Sequence, residues 1–330
     1  MNTRRQRMLA AASALGGLLL FTYAVRSAGV DSIVDGVRRV GWGLVPILML
    51  GGLRLLVRSE AWRLCTPPGA RLPHGRALMA FLAGDAIGNL TPLGLAASEP
   101  TKILLIRHHL ATRESVTSLA VDNLIYSATV ILMIAFGLVV MLATVPLPLV
   151  DREWGIATLV ALAVLGAAGL LVLTRGGGGD ARKSPLRQRL SALRAAVLAY
   201  SAGHPSQLVR VFALDLLFHA LAVLEAYLTL RWLLGDRAPT VIEALLFEVL
   251  NRVVTVMFKF VPFRVGVDEA ASGALAPVLA LNPAAGVAVA VIRKARNLFW
   301  AALGLVLIGV HHAQAAPATD PRGTVPAHRT

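Results

Sequence analysis

The chain has 330 residues, of which 56% are hydrophobic and 15% charged, with a mean hydropathy of +0.69. Those proportions exclude a soluble globular domain and predict a polytopic membrane protein. The single cysteine, Cys65, excludes an internal disulfide framework and a cysteine-based zinc site. The net charge of +14, spread over short loops, points to membrane orientation and anionic-lipid contact and away from nucleic acid.

Apolar runs locate the predicted elements. The first span covers about 8–25, behind Arg4, Arg5 and Arg7. A signal peptide has the same outline, but the run is long and lacks a clean Ala-x-Ala site, so we read a span. The second covers about 42–64, with Arg54, Arg58 and Arg63 gathering toward its end. After Pro67-Pro68-Gly69 a helix at 77–90 stops at Asn89-Leu-Thr-Pro92; another begins near Glu99 and ends at Arg107-His-His109. Residues 115–145 form a long span, Asp151-Arg-Glu153 a polar break, and 154–174 a further span. The stretch from Gly176 to Arg194 reads as a basic linker with a short interfacial helix. A span at 207–234, a broken pair at 241–260 and 269–281, and a last span at about 284–310 complete the membrane part. The tail, 312–330, is expected to be disordered.

Basic residues at the N-terminus and at 54–76, 102–113 and 175–210 are expected inside. Two of these clusters flank the first broken pair, so both its ends face the cytoplasm and the pair becomes a re-entrant hairpin. Irregular backbone at that depth is tolerated only where protein or a water-filled cavity surrounds it. The second broken pair then enters from the opposite face. The expected architecture is an all-α polytopic membrane protein: six spanning helices plus two re-entrant helical hairpins in an inverted repeat, both termini cytoplasmic. It forms one membrane domain, 1–311, with repeats at about 8–145 and 153–311.

A recurrence at a 170-residue offset supports that division. Thr91-Pro-Leu-Gly-Leu-Ala-Ala-Ser-Glu99 and Val261-Pro-Phe-Arg-Val-Gly-Val-Asp-Glu269 each set a proline seven residues before a glutamate, and Trp62 and Trp232 share the offset. Duplicated, interrupted helices bearing charge are the pattern of transporters built from related halves. Pro92 and Pro262 break the helices, and Glu99 and Glu269 are placed to open the half-helices that follow. Such a carboxylate can simply favour the positive helix end; two matched ones in lipid point to a pathway. Other charges fall inside the apolar runs, among them Asp85, Asp122, Asp215, His219, Glu225, Lys294 and the pair Glu248 and Arg252. Arg293 and Arg296 sit three apart on the last span, where a planar fork of donors suits phosphate.

No phosphate loop, metalloprotease or nucleophile-elbow motif occurs, so no catalytic residue, metal or cofactor is expected.

The runs Gly88-Asn-Leu-Thr-Pro-Leu-Gly-Leu-Ala-Ala-Ser-Glu-Pro-Thr-Lys102 and Ser118-Leu-Ala-Val-Asp-Asn-Leu-Ile-Tyr126, with the later stretch 261–269 followed by Arg293, resemble the flippase-like transmembrane domain of bacterial lysylphosphatidylglycerol synthases. The resemblance covers roughly 5–311. It departs at Ser98-Glu99, where the family usually has Gly-Glu, and at Asp122-Asn123, where it has an acidic-Arg pair. The 330 residues contain no aminoacyl-transferase domain, so lipid lysylation is not expected of them. The resemblance implies a lipid translocase of the bacterial cytoplasmic membrane acting on a phospholipid or isoprenoid-type lipid. Glu99 and Glu269 would bind a cationic group or a proton. Lys102, Arg264, Arg293 and Arg296 would contact phosphate, with Asp122, Pro92 and Pro262 completing the substrate site. The alternatives are an intramembrane lipid-phosphate enzyme and a non-transporting partner of a lipid-synthesis enzyme. The glycine- and alanine-rich spans permit a homodimer.

Overall fold

The computed structural model describes residues 30–67, 69–70, 72–91, 94–175 and 185–315. The expected first span, Pro92, the Gly176–Gly179 linker and the tail beyond Ala315 lie outside them. All regular structure among the described residues is helical: α1 (Val30–Val40), α2 (Leu44–Leu64), α3 (His74–Leu90), α4 (Gly94–Ile106), α5 (Thr112–Thr144), α6 (Leu149–Arg175), α7 (Pro185–Gly203), α8 (Pro205–Leu233), α9 (Val241–Met257), α10 (Val267–Val278) and α11 (Pro283–Ala315), with 3-10 turns at Gly41–Gly43 and Pro262–Arg264. Among the described residues three helical stretches, Arg38–Leu64, Thr112–Thr144 and Pro205–Leu233, are long and apolar enough to cross a bilayer. Met49, Leu132, Phe136, Val209 and Val306 point large apolar side chains outward. Water would penalise such a surface and lipid accepts it. This is a helical membrane protein.

Local chemistry explains most helix ends. α5 stops before Val145-Pro-Leu-Pro148, because each proline lacks a donor and disfavours helix in its predecessor. The expected polar break at Asp151–Glu153 therefore sits a few residues early, at 145–148. Asp151 instead lies in the first turn of α6, where a carboxylate meets the positive helix end. At α9, the Thr240 hydroxyl accepts the Glu243 N–H at 3.1 Å and the Glu243 carboxylate accepts the Thr240 N–H at 2.8 Å, a complete capping box.

One expected boundary is corrected. α4 begins at Gly94, not near Glu99, so Glu99 lies one turn and more inside the helix and does not open it. A carboxylate favours the positive end of a helix, and the match with Glu269 placed the expected start at Glu99. The helix instead carries Pro100 in its interior.

The helix pattern recurs at the same 170-residue offset. Shifted by that amount, α3, α4 and α5 coincide with α9, α10 and α11 to within three residues. Their lengths match: 17 and 17, 13 and 12, 33 and 33 residues. Packing repeats too, since α2 lies on α3 as α8 lies on α9, and α3 lies on α11 as α9 lies on α5. α2 and α8, a matched pair themselves, pack on each other at the centre. The halves differ in how the second helix of each pair docks. α4 packs along α3, whereas its counterpart α10 packs along the following helix α11.

Both matched crossings rely on a glycine. A Cβ on Gly304 would stand 2.7 Å from the Leu82 carbonyl oxygen of α3, and one on Gly137 would stand 2.2 Å from a Val249 methyl of α9. Backbone cannot yield as a methyl can. Gly304→Ala is therefore expected to cost about 1–3 kcal/mol and Gly137→Ala less, read as the order of thermal unfolding midpoints of the detergent-purified protein. The reverse order would refute this account of the crossing.

Candidate functional site

Arg54 and Arg58, one turn apart on α2, are the first surprise. Both are buried (7% and 5% exposed) and do not belong to a loop cluster, so they drop out of the charge count used for orientation. α2 runs antiparallel to α8 and delivers them to carboxylates far away in sequence.

Two groups of charge result. In the first, Arg58 donates through Nη2 to Asp122 Oδ2 of α5 at 2.8 Å and through Nη1 to Asp215 Oδ1 of α8 at 2.5 Å. The Tyr126 ring lies 4.2 Å from the guanidinium carbon, a cation–π contact. Cys65 and Ala61 pack alongside with Val121, Val197, Tyr200 and Val211, sealing this end with apolar side chains.

The second group has four guanidiniums and two carboxylates. Glu225 of α8 accepts from Arg54 at 2.7 Å and from Arg296 of α11. Glu248 of α9 accepts from Arg293 of α11 at 3.1 Å, and Arg54 Nη2 lies 3.9 Å from it. Arg252 Nη2 stands 2.8 Å from Glu248 Oε1 but off the hydrogen-bonding direction, while its Nη1 donates to the Tyr126 hydroxyl at 3.0 Å. Arg54 Nε, Arg252 Nε and Arg252 Nη2 are buried without an acceptor. The Phe218 ring lies between Arg54 and Arg252, 4.6 and 4.9 Å from their guanidinium carbons. Removing so many charges from water is expensive unless each is paired. Here pairing is incomplete on the positive side.

The two helical hairpins converge beside this group. α3 touches the Pro262–Arg264 turn, and Lys259 of the second hairpin lies 3.6 Å from where a Gly94 Cβ would stand at the tip of the first. Asp85 of α3 is exposed, within electrostatic reach of Lys102, Arg264, Arg296 and Arg54. Phe263 and Arg264 take φ of 47° and 48°, a left-handed conformation that non-glycine residues rarely adopt. The side chains around them hold it, since Arg264 donates to Asp268 at 3.1 Å and Lys294 reaches the Arg264 carbonyl at 3.4 Å.

The residues expected to form the site are therefore divided among several contacts. Lys102 pairs with Glu99 at 3.0 Å and stacks 4.5 Å from the Phe81 ring centre; Glu99 Oε2 is buried and unpartnered. Glu269 is fully enclosed and fully used: Oε2 accepts the Gly266 N–H at 2.8 Å and Oε1 accepts from Lys294. The two glutamates thus share a register but not a role. Asp122 serves Arg58, Arg293 and Arg296 serve the four-arginine group, and Pro262 opens the strained turn. Glu248 and Arg252, four apart on α9, approach to 2.8 Å, but Glu248 is shared with Arg293 and Arg54 in that larger group. Arg54, absent from the expected site, is central to it; only its position on an apolar face of α2 gave a signal.

The family model for the lysylphosphatidylglycerol synthase TM region matches residues 9–310. The chain belongs to this family. That match takes in every charged group described above, so the arginine and carboxylate clusters lie within the family's membrane region. Comparison with curated proteins and with solved structures gave no match.

Proposed function

We propose that the protein moves an anionic lipid, or a lipid-linked anionic head group, between leaflets of the bacterial cytoplasmic membrane. The observation that carries this reading is the surplus of buried guanidinium. Four arginines face two glutamates, and counting the neighbouring Asp85 still leaves one positive charge and three unpartnered guanidinium nitrogens. A phosphate supplies the missing charge and acceptors in the geometry that arginine prefers. Arg54, Arg252, Arg293 and Arg296 would hold it, with Lys102 and Arg264 lining the approach and Glu99 offering its free oxygen to a cationic group or a proton. Membership of a family of lipid-synthase membrane regions supports a lipid substrate.

In this reading the membrane domain spans 1–311 as two repeats of opposite direction, with six spans, the α3–α4 and α9–α10 hairpins re-entrant, and both termini cytoplasmic. The recurrence of helix lengths and packing supports two related halves. Opposite entry is tested by impermeant thiol labelling of single cysteines in a Cys65→Ser background. His109→Cys should react only from the cytoplasmic side and Asp236→Cys only from the outer side. Reaction of both from one side would end the inverted arrangement.

Function is tested with the purified chain in vesicles, following leaflet exchange of a fluorescent anionic phospholipid against a zwitterionic one. Exchange above protein-free vesicles, selective for the anionic lipid and reduced by Glu99→Gln, is expected. Covalent alteration of the lipid would favour the enzymatic alternative. Activity appearing only with a co-purified synthesis enzyme would favour the partner role.

A further inference from the structure

The first charge group, Arg58 with Asp122 and Asp215, has no part in holding the phosphate. Its chemistry is the reverse of the arginine group, because two carboxylates share one guanidinium. Asp122 is 1% exposed and Asp215 fully enclosed, so water offsets neither charge. Asp215 uses only Oδ1, and its Oδ2 is buried with no donor in reach. One turn along α8, His219 is 5% exposed; its Nε2 lies 3.2 Å from the Thr129 hydroxyl and its Nδ1 is buried without a partner. An ionised carboxylate oxygen left bare at such depth costs several kcal/mol, on the order of the penalty for a single buried ion.

The groups facing this cluster do not supply the missing charge. From α2 come Arg58 and the neutral Cys65; from α5, Asp122 and Tyr126; from α8, His219 itself. From α4, Lys102 and Glu99 act on Asp122 with opposite signs, and are already paired with each other. From α9, Glu248 and Arg252 reach His219, again as a pair of opposite sign, and Arg54 is bonded to Glu225. One negative charge stays uncompensated.

We propose that the Asp122–Arg58–Asp215 group is a proton-binding site, in which the two carboxylates hold one proton between them. Binding converts one carboxylate to the neutral acid and leaves the other to balance Arg58. Two carboxylates kept close together commonly share a proton for this reason. The occupant is a proton: both Asp122 oxygens and Asp215 Oδ1 are bonded to the guanidinium, which leaves Asp215 Oδ2 as the one open carboxylate oxygen, too few ligands for a metal cation that Arg58 would also repel.

The site is wired to the phosphate group by one side chain. Tyr126 places its ring against Arg58 and its hydroxyl against Arg252. Loading and unloading the proton changes the charge that Arg58 must balance, and Arg58 bears on the ring whose hydroxyl positions Arg252. Proton and lipid phosphate would then move together. This coupling rests on the translocase reading above; the proton site does not.

Infrared difference spectroscopy of the purified full chain separates the two. At neutral pH a carbonyl band of a buried protonated carboxyl is expected, lost on strong alkalinisation. Asp122→Asn and Asp215→Asn should each abolish it, because either leaves one carboxylate matched to Arg58, while Asp85→Asn should retain it. Absence of the band in the wild type overturns the site, and so does a band that survives both substitutions. The wild-type titration decides even if a variant fails to fold. In vesicles, one proton per lipid predicts that a gradient of one pH unit biases the final lipid distribution about tenfold. Tyr126→Phe should keep the band and lose that bias. A band with no lipid movement would sink the translocase reading and leave the proton site standing. Lipid movement indifferent to the gradient would refute coupling.

Discussion

Replacing Arg58 by methionine is expected to lower stability by about 3–5 kcal/mol, the cost of removing one member of a buried ionic group. Asp122 and Asp215 lose their common donor together, at a point sealed by Cys65, Val121 and Val211. The carboxylate charge that Arg58 balances would then remain in an apolar interior with neither water nor counter-ion. The companion experiment gives the result its meaning. Arg58→Met combined with Asp122→Leu and Asp215→Leu removes every charge at once, and buried ionic groups exchanged whole for apolar ones commonly lose little. The triple variant should regain most of the loss, read as residual folded protein after heating in detergent. A single variant no worse than Arg231→Met at the exposed end of α8, or a triple variant worse than the single, would contradict the account.

Arg252→Met is expected to weaken retention of an anionic phospholipid by about 10–100-fold, the size of one or two hydrogen bonds to a charged group. Arg252 suits this experiment because its removal strands no carboxylate. Glu248 keeps Arg293 at 3.1 Å and Arg54 at 3.9 Å. Thermal stability should change little, while the two orphan nitrogens that mark the vacant half of the group disappear. Native mass spectrometry of the purified protein, comparing bound anionic and zwitterionic phospholipid, checks both halves of the statement. Unchanged retention of the anionic lipid would remove Arg252 from the binding group. Equal loss of both lipids would point to a damaged fold.

Sequence alone reached the frame more readily than the chemistry. Pro262 marks its break because proline acts locally, and α5 and α11 are visible as long apolar runs. Glu99 reads as a helix opener because a carboxylate suits a first turn, as at Glu269, whereas the helix packed along α3 extends back to Gly94. Arg54 and Arg58 resembled loop charges because nothing nearby in sequence neutralises them. Their partners stand 171, 64 and 157 residues away. Composition carries no record of such distant pairing, and it takes the antiparallel crossing of α2 and α8 to create it. The matched pair Glu99 and Glu269 shows the converse. Equal register predicts equal place, yet Glu269 is consumed by Gly266 and Lys294 while Glu99 keeps an oxygen to spare.

The unequal docking of α4 and α10 carries a mechanical consequence. If the halves can trade poses, the partner conformer has α4 leaning on α5 and α10 folded home against α9, a seesaw about the central α2–α8 pair. The crossings of α2 on α3 and α8 on α9, and of α3 on α11 and α9 on α5, are matched already and would be kept. A bolt placed across one arm should therefore stop both. A Cβ on Gly88 would lie 3.1 Å from that of Ser98, close enough for a disulfide after a small adjustment. With Gly88→Cys and Ser98→Cys joined, lipid exchange is expected to stall and α10 to stay on α11; reduction should release both at once.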